Sequence, residues 1–230
     1  MPVRFPPVHE ASPEGLLAIG GDLSLETLSQ AYASGIFPWP ISKDSPLTWF
    51  SPDPRGILEI RNFTLSRSFR RFLKNHPFQI KYNHDFPSVI EQCALTSRKH
   101  ESGTWITQEI VEGYTNLFHQ GHAYCVGVYD KDDLVGGLYG VCFGGIISGE
   151  SMFHHRDNTS KLCLYAIISI LHQNNIPFLD TQMVTGIVER FGGSEIPREE
   201  FLSQLQKLKN INLSRDQLFS SPPSVPNQLF

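Results

Sequence analysis

From residue 63 onward the sequence alternates between segments with apolar residues at three- and four-residue spacing and short β-branched or aromatic runs. That alternation restricts the chain to an α+β fold. Helices are predicted near 66–74, 86–95, 107–120, 160–173 and 198–209, and strands over 78–82, 123–129, 134–143, 146–151 and 177–181. Asp130-Lys-Asp-Asp133 supplies the hairpin turn between two of these strands. The first 60 residues differ: they carry much of the proline, two of the three tryptophans and one helix, from Ser24 to Ser34. Ser24 caps that helix, Gly35 ends it, and Leu25, Leu28, Ala31 and Tyr32 form its apolar face. Leu16-Leu-Ala-Ile and Gly56-Ile-Leu-Glu-Ile read as flanking strands. The expectation is a small N-terminal α+β lobe, 1–62, then a larger α+β domain, 63–230, with an extended tail from Ser220.

At 230 residues with 40% hydrophobic content, such a chain buries a core without disulfides or metal. Cys93, Cys125, Cys142 and Cys163 match no zinc spacing and no compact disulfide framework, so a reducing cytoplasm is the simpler setting. Nine histidines, His154-His155 among them, form no HExxH or other metal pattern, and no metal is assigned. Residues 1–7 contain no apolar secretory segment, and no stretch approaches the ~18 apolar residues of a membrane helix; the expected protein is neither exported nor membrane-spanning.

Charge is distributed unevenly. Residues 54–81 hold seven cations, Arg55, Arg61, Arg67, Arg70, Arg71, Lys74 and Lys81, against Glu59 alone, or +6; the chain totals −4, leaving −10 elsewhere. With Leu65, Phe69 and Phe72 facing the core, Arg67, Arg70, Arg71 and Lys74 project as a cationic stripe. Two readings stand on charge alone, a solvated helix face or a site for a phosphate backbone.

Glu150 lies in an apolar strand, where an unpaired carboxylate is costly, so it is either a satisfied structural group or a functional one. Asp180 ends a strand, where open α/β sheets place ligand-contacting groups, and Gln182 follows two residues on. An acid and an amide there either orient a nucleophile or cap a loop. Trp39, Trp105 and Tyr114 are core residues or flat binding surfaces, depending on whether they converge. Gly136-Gly137 and Gly144-Gly145 fit turns or close strand packing and belong to no phosphate-loop motif.

Read together, Gly15-Leu-Leu-Ala-Ile-Gly-Gly-Asp-Leu-Ser24, Gly35-Ile-Phe-Pro-Trp39, Trp49-Phe-Ser-Pro-Asp-Pro-Arg55, Gly103-Thr-Trp-Ile-Thr107, Gly149-Glu-Ser-Met-Phe153 and Glu195-Ile-Pro-Arg198 resemble the leucyl/phenylalanyl-tRNA-protein transferases. The motifs run in the family's order from about residue 13 to 202. The resemblance implies transfer of Leu or Phe from aminoacyl-tRNA to the N-terminal Arg or Lys of an acceptor protein, creating an N-end-rule degradation signal. It also implies a C-terminal domain with the acetyltransferase-like GNAT fold, and no cofactor, because the aminoacyl ester is already activated. Carried over by motif, Asp180 and Gln182 are catalytic, and Glu150 is the pocket glutamate. Trp39, Trp105 and Tyr114 contact substrate, with Leu138, Ile147, Ile167, Leu171 and Leu179 lining the side-chain pocket. Arg67, Arg70, Arg71 and Lys74 take the tRNA acceptor-stem phosphates.

In the implied mechanism Asp180 orients Gln182, whose side-chain oxygen accepts a hydrogen bond from the attacking amine, while proximity supplies much of the rate. Two competing functions remain. A CoA-dependent acetyltransferase requires a glycine-containing pyrophosphate loop, and the segment Phe153-His-His-Arg-Asp-Asn-Thr-Ser-Lys161 contains no glycine. A non-enzymatic tRNA adaptor requires only the cationic stripe, and Asp180 and Gln182 argue against it.

Overall fold

The structure, a computed structural model, describes residues 3–41, 45–96 and 104–221. Gly103 and the tail beyond residue 221 lie outside the described residues. Among the described residues there are ten strands: β1 (Leu16–Ile19), β2 (Phe37–Pro38), β3 (Thr48–Phe50), β4 (Arg55–Glu59), β5 (Gln79–Tyr82), β6 (Ala123–Asp130), β7 (Asp133–Phe143), β8 (Ile146–His154), β9 (Phe178–Gln182) and β10 (Ser194–Ile196). The helices are α1 (Leu25–Ala33), α2 (Arg67–Asn75), α3 (Phe86–Leu95), α4 (Gln108–His119), α5 (Thr159–Gln173), α6 (Gly186–Arg190), α7 (Arg198–Leu208) and α8 (Arg215–Leu218). Each segment predicted from the alternating pattern is found, with ends displaced by at most three residues. Side-chain caps hold the helix starts: Ser24 for α1, Ser66 for α2, Asp85 for α3 and Thr107 for α4 each accept a backbone N–H three residues on.

The strands form a three-stranded sheet, β1-β3-β2, and a seven-stranded sheet, β10-β4-β9-β8-β7-β6-β5. β4, from the N-terminal segment, is an interior strand of the large sheet and pairs antiparallel with β9. All pairings in the large sheet are antiparallel except β8–β9, which run parallel and are joined by the α5 crossover. Alternate residues of β6 and β7 pack into separate cores. Cys125, Tyr139 and Val141 join Phe86, Tyr114, Trp49 and Tyr32, whereas Val126, Leu138 and Cys142 join α5 and Phe69 of α2. A sheet covered on both faces explains why its central strands read as nearly continuous apolar runs. The four cysteines are buried free thiols, and among the described residues no helix is long and apolar enough to cross a membrane.

On α2, Phe69 and Leu73 are buried and Phe72 half-buried, as is Leu65 just before the helix, while Arg67, Arg70, Arg71 and Lys74 are all exposed. Not every cation of the 54–81 segment joins them. Arg55 is buried, Arg61 pairs with Glu59 at 2.8 Å, and Lys81 sits 4.5 Å over the Tyr129 ring.

β7 and β8 change register at Tyr139–Gly140, so the backbone of Gly140 lies against β8. A Cβ there would overlap the Ser148 carbonyl and approach the Tyr124 hydroxyl to 2.7 Å. Gly140→Ala is expected to destabilise the protein by about 3 kcal/mol, read as a lower urea midpoint at unchanged slope.

Candidate active site

β8 and β9 pair at Ser148 and Asp180. Toward their C-terminal ends they part, and a cavity of about 350 Å³ occupies the gap. A break between adjacent parallel strands, at their carboxyl ends, is where sheets of this kind accept ligands. Gly149, Glu150, Ser151 and Met152 line one side, and Leu179, Thr181, Gln182 and Met183 the other. Phe37, Trp39 and Trp105 close it from the N-terminal segment and the approach to α4; Leu138, Leu164, Ile187 and Val188 supply apolar wall from β7, α5 and α6.

Six of the residues singled out from sequence thus converge: Trp39, Trp105, Leu138, Glu150, Leu179 and Gln182. Asp180 is adjacent but buried behind Gln182 and does not line the cavity. Tyr114 is fully buried below it. Ile147, Ile167 and Leu171 are buried in the core rather than brought to the cavity. The reason is topological: in a β8–α5–β9 crossover, the C-terminal ends of the strands adjoin the start of the helix. The α5 residue at the cavity is therefore Leu164, and Ile167 and Leu171 fall one and two turns deeper.

Glu150 is the polar centre. Its Oε1 accepts from Ser148 Oγ at 2.6 Å and from Gln182 Nε2 at 3.1 Å, and its carboxylate also takes a hydrogen bond from the Tyr32 hydroxyl. Tyr32 in turn contacts the Tyr114 hydroxyl at 2.6 Å. Tyr114, placed by sequence among the substrate contacts, thus sits behind Glu150 as the far end of a hydroxyl chain. Burial pushes the Glu150 carboxyl up to about 7, against the hydrogen bonds from Ser148 and Tyr32, which hold it lower; Asp180 adds to the rise and Arg55 opposes it. Burial likewise drives the Tyr32 and Tyr114 hydroxyls well above their ordinary value, so both remain donors.

Gln182 is held in an unusual backbone state. Its φ is +58°, in the left-handed region, and Met183 N–H closes a three-residue turn on the Thr181 carbonyl. The turn coincides with a register shift between β4 and β9, where Gly56 faces Gln182 and Ile57 faces Asp180. Non-glycine residues in such conformations cost about 1–3 kcal/mol and persist where the surroundings impose them. The Gln182 side chain is committed to Glu150 through its nitrogen, which leaves its oxygen for a ligand in the cavity it lines.

Arg55 completes the arrangement. Its Nε donates to Asp180 Oδ1 at 2.9 Å and its Nη2 to Oδ2 at 2.7 Å, a bidentate pair that is 1% exposed on the arginine side and 3% on the aspartate side. Nη1 donates to the Gly35 carbonyl at 2.9 Å, and the guanidinium lies 4.8 Å from the Phe37 ring and 4.6 Å from Phe201 of α7. Charge counting only adds Arg55 to the cations of residues 54–81; its role is signalled by nothing but its place closing the Trp49–Arg55 motif. Tyr32 and Ser148 were likewise not singled out as site residues. Among the described residues no cluster of His, Cys, Asp and Glu is arranged to hold a metal ion.

The arrangement can hold an apolar group against Trp39, Trp105, Leu138 and Leu179 while offering an amide oxygen to a donor at its edge. Comparison with known proteins gives the same residues a context. A family model for leucyl/phenylalanyl-tRNA protein transferase matches residues 57–206, and one for the N-terminal domain of that protein matches residues 21–53. The chain is 45% identical over 210 residues to the leucyl/phenylalanyl-tRNA–protein transferase of Pseudoalteromonas translucida, covering 90% of this chain and 87% of the relative. Proteins of the same name from Flavobacterium johnsoniae and Lawsonia intracellularis are each 44% identical. The shared segments cover 88% of this chain and 95% of the first relative, and 89% of each chain for the second.

Two measurements test the site's physics. Because the Glu150 carboxyl is raised from 4.5 to about 7, the native state holds a proton that the unfolded chain gives up. That contribution is complete below about pH 4.5 and is lost as pH rises through about 7. Relative to Glu150→Gln, wild type is expected to lose about 3 kcal/mol across this window in parallel denaturation series. Leu171→Ala, within the core, is expected to cost about 2–5 kcal/mol in stability while leaving ligand selectivity at the cavity unchanged.

Proposed function

From the premise that this chain belongs to the leucyl/phenylalanyl-tRNA–protein transferase family, we propose that it moves leucine or phenylalanine from aminoacyl-tRNA to the N-terminal Arg or Lys of acceptor proteins. The observation that carries the site assignment is the Glu150–Gln182 hydrogen bond at the wall of an apolar cavity between diverging strands. The donor's side chain occupies the apolar end, against Trp39, Trp105, Leu138 and Leu179. The α-amine of the acceptor, in its uncharged form, attacks the ester carbonyl and donates a hydrogen bond to Gln182 Oε1. The N–C bond forms as the C–O bond to the tRNA ribose breaks, and the proton lost by the amine ends on the departing ribose oxygen. Asp180 and Glu150 hold the backbone and the side chain of Gln182, through Asp180 Oδ1 to its N–H at 3.0 Å and Glu150 Oε1 to its Nε2. Because the ester is already activated, bringing amine and carbonyl together is the main catalytic contribution.

Arg67, Arg70, Arg71 and Lys74 of α2 take the acceptor-stem phosphates, supported by their common exposure and the absence of any acid on that helix. In this reading residues 1–62 form an N-terminal lobe whose last strand, β4, is inserted into the large sheet, and 63–230 form a GNAT-like domain that supplies the other six strands of that sheet. The parallel β8–α5–β9 crossover with its strands parting at the cavity supports the second assignment. The product is an N-end-rule signal made in the cytoplasm, a setting supported by four buried free thiols.

Purified protein mixed with labelled Leu-, Phe- or Val-tRNA and peptides beginning with Arg, Lys or Ala tests the reading. Transfer is expected from Leu- and Phe-tRNA, only to Arg and Lys peptides, and Gln182→Ala is expected to lower turnover at least ~100-fold with tRNA affinity retained. Binding of tRNA without turnover by wild type would instead favour the adaptor function. Replacing all four α2 cations by alanine is expected to make log affinity against log salt shallower by about three to four.

A further inference from the structure

We propose that Arg55 and Gly56 are positioning residues for the transfer reaction, acting on Gln182 from the neighbouring strand; this rests on the function proposed above. The strained three-residue turn at Gln182 is not stabilised by its own local sequence, since glutamine has no special tolerance for φ of +58°. Two contacts from β4 impose it. Arg55 grips both oxygens of Asp180, and the Oδ1 so fixed accepts the Gln182 backbone N–H at 3.0 Å. Gly56 lies directly beneath the turn, where a Cβ would approach Met183 Cα to 2.6 Å and Val184 N to 2.7 Å. Arginine therefore pulls on the residue before the turn, while glycine provides the space into which the turn settles. Register agrees, because the shift between β4 and β9 falls immediately after Gly56, between Gly56 and Ile57.

Arg55 itself has no freedom to do anything else. It does not line the cavity, and each of its three nitrogens donates to Asp180 or to the Gly35 carbonyl, with aromatic rings of Phe37 and Phe201 close to the guanidinium. Phe37 lines the cavity as well as touching the guanidinium, so one buried cation locates both the amide-bearing turn and part of the aromatic wall. Asp180 is similarly enclosed, which makes it the intermediary through which Arg55 acts.

The test measures transfer from Leu-tRNA to an Arg-peptide by wild type, R55K, G56A, D180N and R55K/D180N, with each rate normalised to the folded fraction. Lysine keeps the charge of Arg55 but not its two-pronged grip, and G56A leaves the ion pair in place while displacing the turn. R55K and G56A are expected to lower kcat about 10- to 100-fold, the scale of a ~1 Å misplacement, with KM for both substrates within about threefold. The double variant is expected to be no slower than the slower single variant, as for two residues in one chain of action. A merely structural role would lower the melting temperature yet leave normalised kcat near wild type, and that result would overturn the proposal. Losses that multiply in R55K/D180N would overturn it too. If R55K fails to fold, G56A decides, and a wild-type kcat in G56A refutes the positioning role. Absence of transfer by wild type itself would strike the underlying functional reading instead.

Discussion

The guanidinium of Arg55 is the point at which four separated stretches of chain meet: the Gly35–Phe37 segment after α1, β4 itself, Asp180 of β9 and Phe201 of α7. Burying a cation costs several kcal/mol before any partner is counted, and this one is sustained by a bidentate carboxylate, a backbone carbonyl and two aromatic rings. The arrangement is all or nothing. Removing either member of the pair leaves an uncompensated charge inside the protein, a change worth about 3–5 kcal/mol, so the N-terminal segment and the large sheet are bound to one another electrostatically as well as by packing. A neighbouring contact reinforces the same corner, where Arg198 at the start of α7 donates to the Ser51 carbonyl at 2.6 Å.

From that corner the site follows outward. Asp180 is neutralised by Arg55, while Glu150, a short distance along the parallel strand, has only hydroxyl and amide donors and is pushed up to about 7 by burial. Two carboxylates in one enclosed region therefore have different roles: Asp180 is gripped by Arg55 and anchors backbone, whereas burial pushes the Glu150 carboxyl up. Between them Gln182 bridges to both, by its backbone N–H to Asp180 and its side chain to Glu150. The apolar cavity begins immediately beyond, because the strands that carry these groups separate once past their single shared register position.

Much of this was legible in order but not in depth. The helices and longer strands follow from periodicity and capping, and the convergence of Trp39, Trp105, Glu150 and Gln182 follows from motifs that resemble one family. β2, β3, β10, α6 and α8 escaped because they are two to five residues long, too short to display a period. Ile167 and Leu171, expected from the resemblance to line the pocket, share the apolar helix face of Leu164, and only the direction of the crossover shows which turn meets the cavity. Tyr32 reads as one more apolar position of α1, since nothing nearby in sequence indicates that its hydroxyl meets Tyr114, 82 residues away.

The amino-acid sequence by itself determined the α+β alternation, the helix starts, the exposed cationic face of α2 and the family motifs, because each depends on residues a few positions apart. Tertiary structure alone decided that Arg55 is an internal anchor, that Asp180 stands behind Gln182, and that burial pushes the Glu150 carboxyl up to about 7. Those properties come from burial and from partners up to 125 residues distant, and neither the dielectric around a charge nor the identity of its counterion is encoded in local pattern.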